Sequence, residues 1–244
     1  MKDQDEARKI IEDTGKNYNT IIFEEDFIPK DVYLYQIRIR DTFIRKLFSG
    51  SKFRYILDLG CGTGFHQATL GMYADILIGA DMSFGALAEC RKHFSGEYVV
   101  CDINHLPFKK NSLDCIWVAG VLHHIPADFK TAITDNIAVV LKSGGVVLID
   151  EPNKWNPVNH VILKLSKADP TGTEKPLSLA QVKIVLENAN MKIILMDWYE
   201  LFAPFGQLLS NGNISRLSES VDCFLHRSFL KKIYFRWIIY AIKE

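Results

Sequence analysis

The chain of 244 residues has no net charge, its 29 Lys and Arg matching 29 Asp and Glu. No global field exists to hold a polyanion by counterion release, so no nucleic acid is expected as a partner unless a local patch recruits it. Long apolar runs are also missing. Val146–Ile149 and Ile238–Ile242 stop far short of the roughly 18–20 residues that cross a bilayer, so no transmembrane segment is expected. The opening MKDQDEARKIIEDTGKN places acids where a secretory signal needs an apolar stretch, which predicts a cytoplasmic location. Cysteine is sparse. Cys61, Cys90, Cys101, Cys115 and Cys223 are odd in number and show no CxxC spacing, which argues against a disulfide framework and a zinc site.

What is present suits one large domain. With 48% hydrophobic residues, a chain of this length buries enough surface to fold without a staple. Short apolar runs recur at Tyr55–Leu59, Ile76–Ala80, Tyr98–Cys101, Cys115–Ala119 and Gly145–Asp150. Runs apolar on both faces predict parallel strands covered by helices on each side. Helices are predicted between them, around Phe65–Met72, Ser83–Phe94 and Phe129–Leu141. The alternation specifies a doubly wound α/β fold.

An amino-terminal arm over 1–50, with a helix at Asp31–Phe48, precedes a core spanning 51–201. Beyond the fifth strand, prolines punctuate the chain and short helices are predicted at Val158–Leu165 and Leu179–Ala189. A strand at Met191–Trp198 and a final strand at Phe235–Ile242 bracket an expected helical insertion, 202–234. In that insertion Leu225, Phe229, Leu230 and Ile233 share a helical face opposite Arg227, Lys231 and Lys232. This amphipathic pattern allows peripheral membrane contact through 223–234 as well as docking on the parent domain.

The chemistry concentrates in ILDLGCGTG, Ile56–Gly64, where a strand enters three glycines at alternate positions. Such a turn lets a ligand lie against backbone amides with no Cβ in the way. Asp81 ends the second strand 21 residues after Gly60, the distance at which an acid meets ribose hydroxyls in this architecture. Helix capping is the other use of such an acid, and Ser83 can do that instead. Phe65 stands where a dinucleotide fingerprint would need glycine, which weakens a nicotinamide oxidoreductase reading.

Taken together, ILDLGCGTG, IGADMS (Ile78–Ser83), CDINHLPF (Cys101–Phe108), LDCIWVAGVLHHI (Leu113–Ile125) and LKSGGVVLID (Leu141–Asp150) resemble the ordered motifs of class I S-adenosylmethionine-dependent methyltransferases. The resemblance covers about two-thirds of the chain. It implies a seven-stranded, Rossmann-like sheet with an antiparallel last strand, S-adenosyl-L-methionine as cofactor and S-adenosyl-L-homocysteine as product. By that resemblance Gly60, Cys61 and Gly62 pass beneath the methionyl and ribose parts, and Asp58 faces the ammonium. Asp81 then holds the ribose diol, Asp102 and the Ile103 amide meet the adenine edge, Met82 lies against its face, and the carbonyl at Ala119 meets the ammonium.

His123 and His124 follow. As helical neighbours they point about 100° apart, which disfavours a shared metal, and no metal site is expected. One of them is a candidate general base. Asp150 and Glu151, at the end of the fifth strand, are the other candidates, while Tyr18, Tyr33, Tyr35, Trp155 and Asn156 are candidate lid or acceptor contacts. The expected acceptor is a small molecule, a lipid or a glycan. A cofactor-binding regulatory subunit without catalysis is the alternative from a different class.

Overall fold

A computed structural model of the chain describes residues 17, 19, 30–125, 136–157, 159–161, 176–199 and 234–244. The five central apolar runs form β1 (Phe53–Leu59), β2 (Ala74–Asp81), β3 (Glu97–Val100), β4 (Leu113–Ala119) and β5 (Leu141–Pro152). Helices α1 (Lys30–Leu47), α2 (Gln67–Gly71), α3 (Phe84–His93) and α4 (Leu179–Asn188) flank them, and β6 (Met191–Tyr199) and β7 (Arg236–Lys243) complete the sheet. The strand order is β3-β2-β1-β4-β5-β7-β6. Strands β1 to β5 run parallel, and β7 is antiparallel to both β5 and β6. This is the doubly wound, seven-stranded sheet that the motifs imply.

Alternate residues explain why both faces are apolar. Ile56, Trp117, Leu148 and Ile238 join Ile44 and Phe48 in one cluster, under α1. Leu57, Ile116, Val147 and Ile239 enter the other, with Val182 and Leu186 of α4. Helix α4 starts at a capping box in which Ser178 accepts from the Gln181 amide while the Gln181 side chain reaches back, satisfying two amides that a bare helix end leaves unpaired.

Helix α1 crosses its cluster in a set direction. Phe48 stacks edge-on against Phe53 at the start of β1, whereas Arg40 reaches Asp150 near the end of β5. The amino-terminal part of α1 therefore overhangs the carboxyl ends of the strands. Residues 136–140 are helical and run into β5, the remainder of the predicted Phe129–Leu141 helix lying outside the described residues. The insertion over 202–234 lies outside them too, apart from buried Tyr234, as do Tyr18 and most of the helix predicted at Val158–Leu165. No helix among the described residues is long and apolar enough to cross a membrane.

Candidate functional site

Every strand from β1 to β5 delivers a residue to one rim of the sheet. After β1 the chain turns through Gly60, Gly62 and Gly64 with φ of 74°, 52° and 93°, a region that L side chains rarely enter. The loop is tied to β2 because the amides of Gly60 and Cys61 both donate to the Ala80 carbonyl, at 2.7 and 3.1 Å. Its glycines differ in surroundings. A Cβ on Gly60 would lie 2.2 Å from Val121 Cγ2 and one on Gly64 2.6 Å from Cys90 Sγ, whereas one on Gly62 meets nothing within 4 Å among the described residues. Gly62 therefore faces open space.

Three acids lie on or just after the strands that end at this rim. Asp58, in β1, is buried and accepts the Gln67 side-chain amide at 2.7 Å. Burial pushes its pKa up to about 8, against the lowering effect of that hydrogen bond. Asp81 accepts the Gly62 amide on one oxygen and the Ser83 amide on the other, both at 2.9 Å. Desolvation raises its pKa while these amides pull it down. Ser83 caps α3 by accepting from the Ala86 amide at 3.1 Å, so the Asp81 carboxylate is not consumed as a cap. Asp102 is fixed by Asn104, whose backbone and side-chain amides both donate to Oδ1 at 2.8 Å. Ile103 beside it is buried and Met82 half-buried.

Cys61 is buried in the loop. Its thiol is pushed far above the usual range, first by a hydrogen bond with Cys90 and then by burial, so it stays protonated and is no nucleophile.

After β4, Ala119 and Gly120 lead into a single tight turn, Leu122–His124. His123 is buried and His124 exposed, with their rings 4.1 Å apart. Here two sequence expectations change. Glu151 and Asp150 were expected to be open to an acceptor, yet both are fully buried. Glu151 accepts His123 Nδ1 at 2.7 Å and the amides of Val121 and Leu122 at 2.9 and 2.7 Å. Asp150 binds Arg40 Nε at 2.9 Å and Arg236 Nε at 2.8 Å, with the Tyr199 hydroxyl against its other oxygen. Burial raises the Asp150 pKa, but the two guanidinium charges hold it below the ordinary carboxylate value. Neither acid is placed to take a proton from an acceptor.

The residues fit S-adenosylmethionine. The cofactor offers an ammonium, a diol and an exocyclic amine, all donors, and the rim supplies the acceptors Asp58, Asp81 and Asp102. Among the described residues, two buried acceptors beside these acids lack partners, Gln67 Oε1 next to Asp58 and Asn104 Oδ1 next to Asp102. A buried unpaired oxygen costs about 1–3 kcal/mol, so a donor supplied by a ligand would relieve each.

Gln67 and Asn104 were not anticipated, although Gln67 is the first residue of α2, directly after the loop. Trp155 is exposed, and Asn156 is buried, its side chain accepting from the Asn159 amide at 3.1 Å. The structure therefore separates these two candidate acceptor contacts into one surface residue and one loop anchor.

Residues 57–149 match a family model described as a methyltransferase domain. The fold is similar to that of a crystallised SAM-dependent methyltransferase from Archaeoglobus fulgidus, with a TM-score of 0.63 at 18% identity over 85% of this chain and 94% of that one. Among curated relatives, a tRNA U34 carboxymethyltransferase of Pseudoalteromonas atlantica is 33% identical over 106 residues, which is 40% of this chain and 31% of that protein. A tRNA (carboxymethyluridine(34)-5-O)-methyltransferase of Macaca fascicularis is 32% identical over 109 residues, 44% of this chain and 15% of that protein. The matched region thus spans under a third of either relative.

These relatives overturn the expectation that nucleic acid plays no part, because both are named for action on tRNA. The expectation of a small-molecule, lipid or glycan acceptor falls with it, while residues 223–233, expected to allow membrane contact, lie outside the described residues. The error has a physical source: a zero sum of charges says nothing about where the charges sit.

Proposed function

We propose that this chain, which carries a methyltransferase domain of the class I S-adenosylmethionine-dependent fold, transfers a methyl group to a nucleotide of tRNA. The observation that carries the methyl-transfer reading is the Asp81 carboxylate at the end of β2, held by the Gly62 amide of the glycine turn and by the Ser83 amide. The tRNA acceptor is supported by the named relatives, and a cytoplasmic location goes with it.

S-adenosylmethionine supplies a methyl group on a sulfonium, already an excellent leaving group. Asp58 and the carbonyl at Ala119 hold the ammonium end, and Gln67 steadies Asp58. Asp81 accepts the ribose hydroxyls, its position set by the Gly62 and Ser83 amides. Asp102 and the Ile103 amide read the adenine edge, and Met82 packs on its face. Gly60, Cys61 and Gly62 form the floor. Alignment of nucleophile, methyl carbon and sulfur, with water excluded, supplies most of the rate. Where the acceptor atom carries a proton, His123 takes it, with His124 the second candidate. Residues 51–201 and 235–244 are read as the cofactor-binding unit, with 1–50 and 202–234 as the parts that adapt it to its acceptor.

Calorimetric titration with S-adenosylmethionine, S-adenosylhomocysteine and NAD, followed by transfer of a labelled methyl group to unmodified tRNA and to tRNA carrying carboxymethyluridine, tests the reading. Binding of the first two but not NAD, with label in tRNA, is expected. Binding of NAD alone overturns the methyl-transfer reading, and cofactor binding without label in tRNA overturns the acceptor.

A further inference from the structure

Past the end of β5, three buried asparagines hold one short turn. Asn153, Asn156 and Asn159 are 0%, 4% and 1% exposed. The backbone amide and side-chain NH2 group of Asn153 donate to the carbonyls of Phe235 and Tyr234 at 2.9 and 2.7 Å, which ties the turn to the chain entering β7. Asn159 donates its side-chain NH2 group to the carbonyls of Asn153 and Phe235 at 2.9 and 2.7 Å, and its backbone amide to Asn156 Oδ1. Buried side-chain amides persist where they are paired in this way.

What they hold faces solvent. Lys154 and Trp155 are the central residues of the turn, which closes as the Asn156 amide donates to the Asn153 carbonyl at 3.1 Å. Asn153 Oδ1 accepts the Trp155 amide at 3.1 Å, an Asx turn that fixes the backbone beneath the indole. His160 Nε2 donates to the Lys154 carbonyl at 2.8 Å. Trp155 is nevertheless 67% exposed, whereas Trp117 and Trp237 are fully buried. An indole is a large apolar surface, and leaving it in water forgoes the burial that drives folding. The backbone is fixed while the aromatic face is left open.

The position of the turn decides what that face meets. Asp150 of β5 lies in register with Ala119 of β4, at the rim where Asp81 and the glycine loop also stand. Trp155 is three residues past Pro152, the last residue of β5, and three residues reach about 10 Å at most. The turn therefore stands at the carboxyl edge of the sheet, the same edge as the cofactor residues. We propose that Trp155 is a stacking platform for a nucleobase of the tRNA acceptor, with the exposed Lys154 beside it for a backbone phosphate, an inference that rests on the reading above. Every base has a flat π face that an open indole matches, so such stacking tolerates any sequence. Lys154 supplies the positive charge that a phosphodiester attracts. An enzyme that acts on one nucleotide must draw it out of its stack, and an aromatic side chain that replaces the lost neighbour stabilises that state.

Fluorescence reads this contact, because Trp155 is the most exposed of the four tryptophans. Adding tRNA, unmodified or carrying carboxymethyluridine, should remove most of the acrylamide-accessible emission of the wild type. Trp155→Ala should weaken tRNA binding by about 5–150-fold, with S-adenosylmethionine affinity within about twofold. Trp155→Phe should recover most of that loss and Trp155→Leu should not, since leucine is apolar but offers no ring. Lys154→Ala should lower the slope of log affinity against log salt by about one, and Lys154→Arg should restore it. Wild-type tRNA binding that leaves the accessible emission unchanged overturns the platform, whether or not a variant folds. Equal tRNA affinity in Trp155→Leu and Trp155→Phe overturns it as well. So does unchanged affinity in Trp155→Ala, which would leave the indole to a protein contact. If tRNA binds through Trp155 but takes no label, the acceptor reading fails and the platform stands. If the wild type binds neither tRNA, both fall.

Discussion

Asp81, at the end of β2, accepts the backbone amide of Gly62 in the loop after β1 at 2.9 Å, so the acid that ends one strand shapes the loop that ends its neighbour. The contact holds the loop, and under the proposed function the same carboxylate also meets the ribose. Asp81→Ala should weaken S-adenosylmethionine binding by about 10²-fold, since charge-assisted hydrogen bonds contribute about 1.5–3 kcal/mol each. Asp75→Ala is the control. That carboxylate is 59% exposed and lies 3.7 Å from Lys52 Nζ, at the opposite end of β2. Equal affinities by calorimetry for the two variants would remove Asp81 from the ribose.

The glycines of the loop should fail in different ways. Gly60→Ala drives a Cβ into Val121, so it should lower the unfolding temperature, and Val121→Ala should recover part of the loss. Gly62→Val should leave a folded chain, strained by about 1–2 kcal/mol at a positive φ, while abolishing cofactor binding because its side chain enters the open space. Circular dichroism beside calorimetry checks both. Unchanged affinity in Gly62→Val would make the loop a plain turn.

Asp58 should give the fold an unusual dependence on pH. Its pKa rises from 3.8 to about 8 through burial, so between these values the folded chain holds a proton that the unfolded chain has released. Stability must then fall as pH rises across that window, by at most about 1.4 kcal/mol per unit, and level off above it. Asp58→Asn keeps an acceptor for Gln67 and removes the titration. Its stability relative to wild type, from denaturant melts, should grow from pH 4 to pH 8. Cofactor binding at pH 7 should release a proton in the wild type and none in Asp58→Asn, read from calorimetry in buffers of different ionisation enthalpy.

Strands were legible because each is apolar on both faces, as Ile56 and Leu57 show by entering opposite clusters. The loop and the acids Asp58, Asp81 and Asp102 were legible because each lies on or just after a strand, so local spacing places them at one rim. Asp150 and Glu151 follow the same pattern, yet their surroundings come from afar. Arg40 is 110 residues from Asp150, Arg236 is 86 away, and His123 is 28 from Glu151. Spacing along the chain carries no record of such pairings. They depend on β7 lying beside β5 and on the direction in which α1 crosses the sheet.

That distant pairing should matter for stability. Asp150 is buried between Arg40 and Arg236, and breaking a buried ion pair on one side costs about 3–5 kcal/mol because an unpaired charge is left behind. Asp150→Asn should lose that much in urea melts at pH 7. The Asp150 pKa lies below its unfolded value of 3.8, so its contribution is present above that pH and is lost as pH falls through the folded value. The gap between wild type and variant should therefore close in acid. A gap that is constant from pH 7 to pH 3 would mean the cost comes from packing instead.

The two histidines provide the test between proton transfer and alignment alone. His123 is buried against Glu151, whereas His124 is exposed and acts electrostatically on Asp81. If His123 removes the acceptor proton, His123→Asn should lower turnover by about 10²–10⁴-fold with cofactor affinity nearly unchanged, and the residual rate should lose its inflection near neutral pH. His124→Asn should instead shift cofactor affinity through Asp81 and leave the inflection in place. Alignment alone predicts a small loss in each and no change in the shape of either pH–rate profile. Because Asp150 and Glu151 are buried and engaged, two unaltered profiles would not pass the role to them. They would mean that the acceptor atom arrives without a proton to lose, as a carboxylate or an unprotonated ring nitrogen does.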